Sequence, residues 1–105
     1  MNNTLSTLGL CKRAGKLICG FDAVDAELKK EKTAVCGVLT ASDLSEKSKK
    51  EVRFICAKKD IAVTELAETL DEIKSVIGKR TGIIAVLDQG LYRSVINKSH
   101  TSGER

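Results

Sequence analysis

The stretch Thr69-Leu70-Asp71-Glu72-Ile73-Lys74-Ser75-Val76-Ile77-Gly78-Lys79-Arg80-Thr81-Gly82-Ile83-Ile84-Ala85-Val86-Leu87 reads as a helix, a stop and a strand in succession. Thr69 and Glu72 stand three apart, the spacing of a capping box that satisfies two helix-start N–H groups. Leu70, Ile73 and Ile77 then fall on one helical face. Gly78 suits the left-handed position that ends a helix. After the polar turn Lys79-Arg80-Thr81-Gly82, the run Ile83 to Leu87 has the length and composition of a strand.

The same alternation extends outward in both directions. Leu5, Leu8 and Cys11 step by three, with Asn3 or Thr4 as N-cap and Gly15 as a stop. Leu17-Ile18-Cys19 is a short strand, broken by Gly20. Phe21, Val24 and Leu28 mark the buried face of a second helix ending near Lys32. Ala34 to Leu39 is a continuous apolar run, as in a strand covered on both faces. Ser42 to Ser45 offers caps for a third helix reaching about Lys59. In it, Val52, Ile55 and Cys56 form a stripe opposite Lys49, Lys50 and Arg53. Ile61-Ala62-Val63 is the third strand. A last helix runs from Gln89 to Asn97 with Tyr92, Val95 and Ile96 inward. Four helix–strand pairs closed by a helix predict a three-layer α/β/α sandwich around a central sheet of about four strands. Residues 1–97 form this single domain, and 98–105 are expected as a flexible polar tail.

Composition agrees and narrows the function. The chain has 105 residues, and its hydrophobic fraction of 42% supports one packed core. That core must be aliphatic, because Phe21, Phe54 and Tyr92 are the only aromatic residues. No apolar run approaches the ~20 residues of a membrane span, and Met1-Asn2-Asn3-Thr4 does not open a signal peptide. A formal net charge of +4 is compatible with a polyanionic partner without requiring one. Cys11, Cys19, Cys36 and Cys56 contain no C-x-x-C pair and each sits where an apolar residue fits. They read as buried small hydrophobes in a reducing, cytoplasmic setting.

Catalytic and cofactor signatures do not emerge. The one histidine, His100, lies in the expected tail. Gly15-Lys16 and Gly78-Lys79 share the Gly-Lys pair of a phosphate loop, but Leu10 and Ile73 stand where its first glycine is needed. Asp43 and Asp88 follow strands, yet Asp22 stands alone after the first strand, so no receiver-type acidic cluster forms. Turn and cap chemistry accounts for both aspartates. The expectation is therefore no enzyme, no cofactor and no metal.

Two basic, glycine-flanked loops remain. Lys12-Arg13-Ala14-Gly15-Lys16 leads into the first strand, and Gly78-Lys79-Arg80-Thr81-Gly82 into the last. Cations on such turns can approach a phosphate backbone closely. Gly20 opens a helix whose first N–H groups can meet a phosphate. Each loop taken alone also fits helix-end charge complementing the macrodipole. Phe21 is the candidate for base stacking, although its register also suits the core.

The string Leu8-Gly9-Leu10-Cys11-Lys12-Arg13-Ala14-Gly15-Lys16-Leu17, followed by Gly20, resembles the bacterial, ribosome-associated branch of the kink-turn-binding ribosomal proteins (the L-seven-Ae and L-thirty-e type). The likeness continues through Ala41-Ser42-Asp43-Leu44-Ser45 and Ile77-Gly78-Lys79-Arg80-Thr81-Gly82, spanning roughly Leu5 to Asp88. It implies a four-stranded mixed sheet and a non-enzymatic protein binding structured RNA, ribosomal RNA or the ribosome, rather than DNA or membrane. The implied contacts are Lys12, Arg13, Gly15, Lys16, Gly20, Phe21, Asp22, Gly78, Lys79, Arg80 and Thr81. One segment departs from the pattern. Kink-turn readers carry Asn, Glu and Lys at the start of the second helix, where this chain has Asp22, Ala23 and Ala26. The recognition triad is therefore not carried over. A protein-interaction module that kept this fold and lost kink-turn recognition stands as the alternative. Oligomeric state is not legible in the sequence.

Overall fold

The computed structural model describes residues 3–99. The chain runs α1 (Asn3–Arg13), β1 (Leu17–Cys19), α2 (Phe21–Leu28), β2 (Gly37–Thr40), α3 (Glu46–Ala57), β3 (Val63–Glu65), α4 (Leu70–Ile77), β4 (Ile83–Val86) and α5 (Gln89–Ser99). The strands form one mixed sheet in the order β1-β4-β2-β3. β4 is antiparallel to both neighbours, and β2 is parallel to β3. This is the expected α/β/α sandwich. Of the expected tail 98–105, residues 100–105 lie outside the described part.

Side chains of a strand alternate between faces, and the two cores follow that alternation. Leu39, Ile84 and Val86 join α1, α4 and α5 through Leu8, Cys11, Ile73, Ile77, Tyr92 and Val95. Val38, Ile83 and Ala85 join α2 and α3 through Val24, Leu28, Val52 and Cys56. Both central strands are buried on both faces, which explains their continuous apolar runs. Each aliphatic side chain withdrawn from water contributes ~1.5–3 kcal/mol before entropy is counted.

The capping box at Thr69 forms with both bonds, and Gly78 closes α4 in the left-handed conformation. Several other boundaries differ from expectation. β2 begins at Gly37 rather than Ala34, because its register is set by Gly37 facing Val86. A side chain at Gly37 would overlap the Tyr92 ring, so this position lets α5 lie against the sheet. β3 begins at Val63 rather than Ile61, because the Ile61 N–H donates to the Cys56 carbonyl and closes α3 instead. α2 ends at Leu28, short of Lys32, since no apolar residue after Leu28 extends its buried face. Thr4 lies within α1 and is buried.

Lys49 is also misplaced by periodicity. It is 5% exposed rather than solvated, and its Nζ donates to Glu65 Oε2 at 2.9 Å and to the Ser42 carbonyl at 3.1 Å. The Glu65 hydrogen bond holds its pKa above the ordinary lysine value. Lys49 thus ties α3 to the ends of β2 and β3. The cysteines divide evenly: Cys11 and Cys56 are buried, while Cys19 and Cys36 are half-buried, and all four are free thiols.

Candidate nucleic-acid interface

The C-terminal ends of β1, β2 and β3 and the start of β4 share one end of the sheet, as the strand registers require. Gly20 lies there. Its N–H donates to the Ile83 carbonyl at 2.9 Å, and its φ of 96° turns the chain directly into α2. A residue with a Cβ adopts that φ only under strain. No side chain caps α2, so its first-turn N–H groups carry the positive end of the helix dipole outward. Asp22 is exposed in that first turn, beside the exposed and non-polar Ala23.

The loop 78–82 approaches the same end. Its inner residues are fixed and its middle is displayed. Thr81 is buried, and its hydroxyl donates to the Ile83 carbonyl at 3.1 Å. Thr81 therefore shapes the loop instead of offering a contact, a correction to the sequence expectation. A Cβ at Gly82 would meet Leu44 and Leu70 at 2.8 Å. Lys79 and Arg80 are exposed. The Arg80 Nε donates to Asp71 Oδ1 at 3.1 Å. Both partners are well exposed, so this pair is worth ~0–1 kcal/mol and a phosphate can displace it.

The first basic loop is split. Lys12 and Arg13 occupy the last turn of α1, and Gly15 turns the chain with φ 71°. The Lys16 carbonyl accepts from the Leu87 N–H. Lys16 therefore stands at the opposite end of β1 from Gly20, roughly 13 Å away along the extended chain. Lys12, in contrast, shares a depression of about 450 Å³ with Leu17, Ile77, Gly78 and Lys79. Burial raises the pKa of the half-buried Cys19 thiol, while the positive charges of Lys79 and Lys12 lower it. Both ammonium groups thus act on the residue that precedes Gly20. The structure brings Lys12 and Lys79 together in one depression beside Leu17, from which both charges reach Cys19, and leaves Arg13, Gly15, Lys16 and Gly20 outside its lining.

Phe21 is half-buried and packs against the α2/α3 core. The exposed aromatic is Phe54 on α3, at 63%. Its position four residues from both Lys50 and Lys58, on a polar face, was the available signal. Asp43 and Asp88 serve as caps: their Oδ1 atoms accept from Leu70 N at 2.8 Å and Leu91 N at 2.9 Å. Among the described residues, no three His, Cys, Asp or Glu side chains cluster as metal ligands. No described helix is long and apolar enough to cross a membrane.

Fold and site together define an α/β/α domain with a glycine-opened second helix beside a basic α4–β4 loop. The chain belongs to the L-seven-Ae-type family. The relative that shows this is the RNA-binding protein YlxQ of Enterococcus faecium, 34% identical over 89 residues, which cover 85% of this chain and 84% of YlxQ. A solved structure of a protein of unknown function from Bacillus halodurans superposes with a TM-score of 0.82 at 27% identity, covering 93% of this chain and 97% of that one. The chain matches no protein-family model.

Proposed function

We propose that this protein binds structured RNA, with ribosomal RNA as the partner and without catalysis, in the cytoplasm. The observation that carries this reading is the depression that Lys12 and Lys79 share beside β1, from which both charges reach Cys19, the residue before Gly20. The relative's description as RNA-binding supports it. Lys12, Lys79 and Arg80 contact phosphates. Gly20 and Gly78 keep side chains away from the approaching backbone, and the start of α2 offers its N–H groups. Arg13 and Lys16 extend the cationic strip to the other end of β1, where Gly15 permits the turn. Ala23 and Ala26 cannot hydrogen-bond a base edge, and Asp22 repels phosphate. Recognition therefore rests on backbone shape and charge rather than on the Asn–Glu–Lys triad of kink-turn readers.

The test is a titration against a kink-turn RNA and a plain duplex of equal length at two salt concentrations. The expected result is salt-sensitive binding with little preference between them. Replacing both Lys79 and Arg80 with alanine weakens binding and makes the log–log salt slope shallower by ~1–2. Unchanged affinity and slope in that variant would remove the loop from the interface. A strong kink-turn preference in the wild type would show that Asp22, Ala23 and Ala26 do not abolish base-edge recognition.

A further inference from the structure

A second surface lies between α2 and α3, apart from the basic loops. Phe21, Lys50, Glu51, Phe54 and Ile55 line an open depression of about 470 Å³. Ile55 also borders a smaller depression beside Asp25, Leu28, Lys29, Lys58 and Lys59, so the groove continues along the helix pair. Phe54 is 63% exposed, and its ring lies outside the buried clusters. The Lys58 Nζ lies 4.5 Å from its ring centroid. Lys50 sits one helical turn before Phe54 and Lys58 one turn after it.

An exposed ring with a cation one turn to either side can hold a single-stranded nucleic acid: the ring stacks a base once Lys58 leaves its face, and the cations meet flanking phosphates. Glu51, in the same depression, can accept from a base N–H such as the N3–H of uracil. The groove also adjoins the surface proposed above, because Phe21 directly follows Gly20. We infer that Phe54, with Lys50 and Lys58, is a stacking platform for an unpaired RNA base that leaves the structured RNA and passes over the start of α2. This rests on the RNA reading but uses different residues, so the two can fail separately.

The experiment uses the full chain and a single-stranded oligouridylate of twelve nucleotides, followed by amide chemical shifts and by affinity at two salt concentrations. Amide shifts at Glu51, Phe54 and Lys58 are expected. Phe54→Ala weakens the oligouridylate about tenfold, as loss of one stacked base does, with its salt slope unchanged. Phe54→Trp keeps or improves affinity. Replacing Lys50 and Lys58 together with alanine makes the slope shallower by about 1.4, the single-strand value for two phosphates. Absence of α3 shifts, or equal affinity of Phe54→Ala and wild type, overturns the platform. So does a glutamate-rich amphipathic peptide that shifts these amides where the oligouridylate does not, since the groove would then dock protein. Loss of binding confined to the Lys79/Arg80 variant overturns the platform and leaves the loop reading standing. Loss confined to Phe54→Ala does the reverse.

Discussion

The two faces of the sheet are covered unequally. Three helices, α1, α4 and α5, close over one face, where eleven residues form a continuous buried cluster. Two helices, α2 and α3, cover the other, with a cluster of eight. On the first face packing is tight enough that Gly37 has no room for a methyl group beneath Tyr92. On the second, Phe54 stays in solvent and a groove remains between the helices. One sheet thus carries a face with the larger buried cluster and a face whose two helices leave an aromatic ring and a groove in solvent. The tightly packed side tolerates little change in volume, whereas the open side can change its exposed residues at small cost to the fold.

Substitutions can break this contrast or sharpen it. The largest effect is expected on the closed face. Gly37→Ala drives a Cβ into the Tyr92 ring and also disturbs the Tyr92–Thr64 hydroxyl contact of 2.9 Å. A loss of ~2–3 kcal/mol in urea denaturation is expected. A loss below ~0.5 kcal/mol would show that α5 is not held as tightly as the packing implies.

An intermediate effect is expected at Lys49, the polar tie on the two-helix side. Its folded pKa is raised, so the Glu65 contact stabilises fully below the ordinary lysine value of 10.5. That contribution is lost as pH climbs through the raised folded value. The stability difference between wild type and Lys49→Met is therefore expected to be constant near neutrality and to shift against the wild type at strongly alkaline pH. Burial raises Tyr92, and it pushes Cys56 up to about 11. Both titrate in the two proteins alike and cancel in the difference. A difference that does not vary with pH would show that Lys49 acts by packing alone.

The smallest effect on stability is expected at Phe54. Phe54→Ser removes a ring that is mostly in water and should change stability by no more than ~0.5 kcal/mol in the same denaturation assay. A loss of ~2 kcal/mol would make the two faces alike and assign Phe54 to the core.

The helices were the most legible part of the sequence. The Thr69–Glu72 box, the Leu70–Ile73–Ile77 stripe and the Gly78 stop formed where expected because each depends on residues within one or two turns. Strand boundaries were less legible. Ala34–Leu39 and Ile61–Val63 are apolar runs, and only pairing with β4 and β2 decided which of their residues entered the ladder. The site was legible in part. Lys79, Arg80 and Gly20 lie where the two loops and the helix start suggested. Thr81 and Lys49 turned inward, because their polar atoms find partners from distant segments or a folded-back turn.

Local spacing, charge and caps in the sequence alone therefore determined five helices, the glycine stop of α4, an aliphatic core and two basic loops. Those features arise from neighbours in the chain. The strand order β1-β4-β2-β3, the meeting of Lys12 with Lys79, the separation of Lys16 from Gly20 and the exposure of Phe54 were decided only by the tertiary structure. Each depends on segments far apart in sequence, and on which of them the sheet brings to the same end.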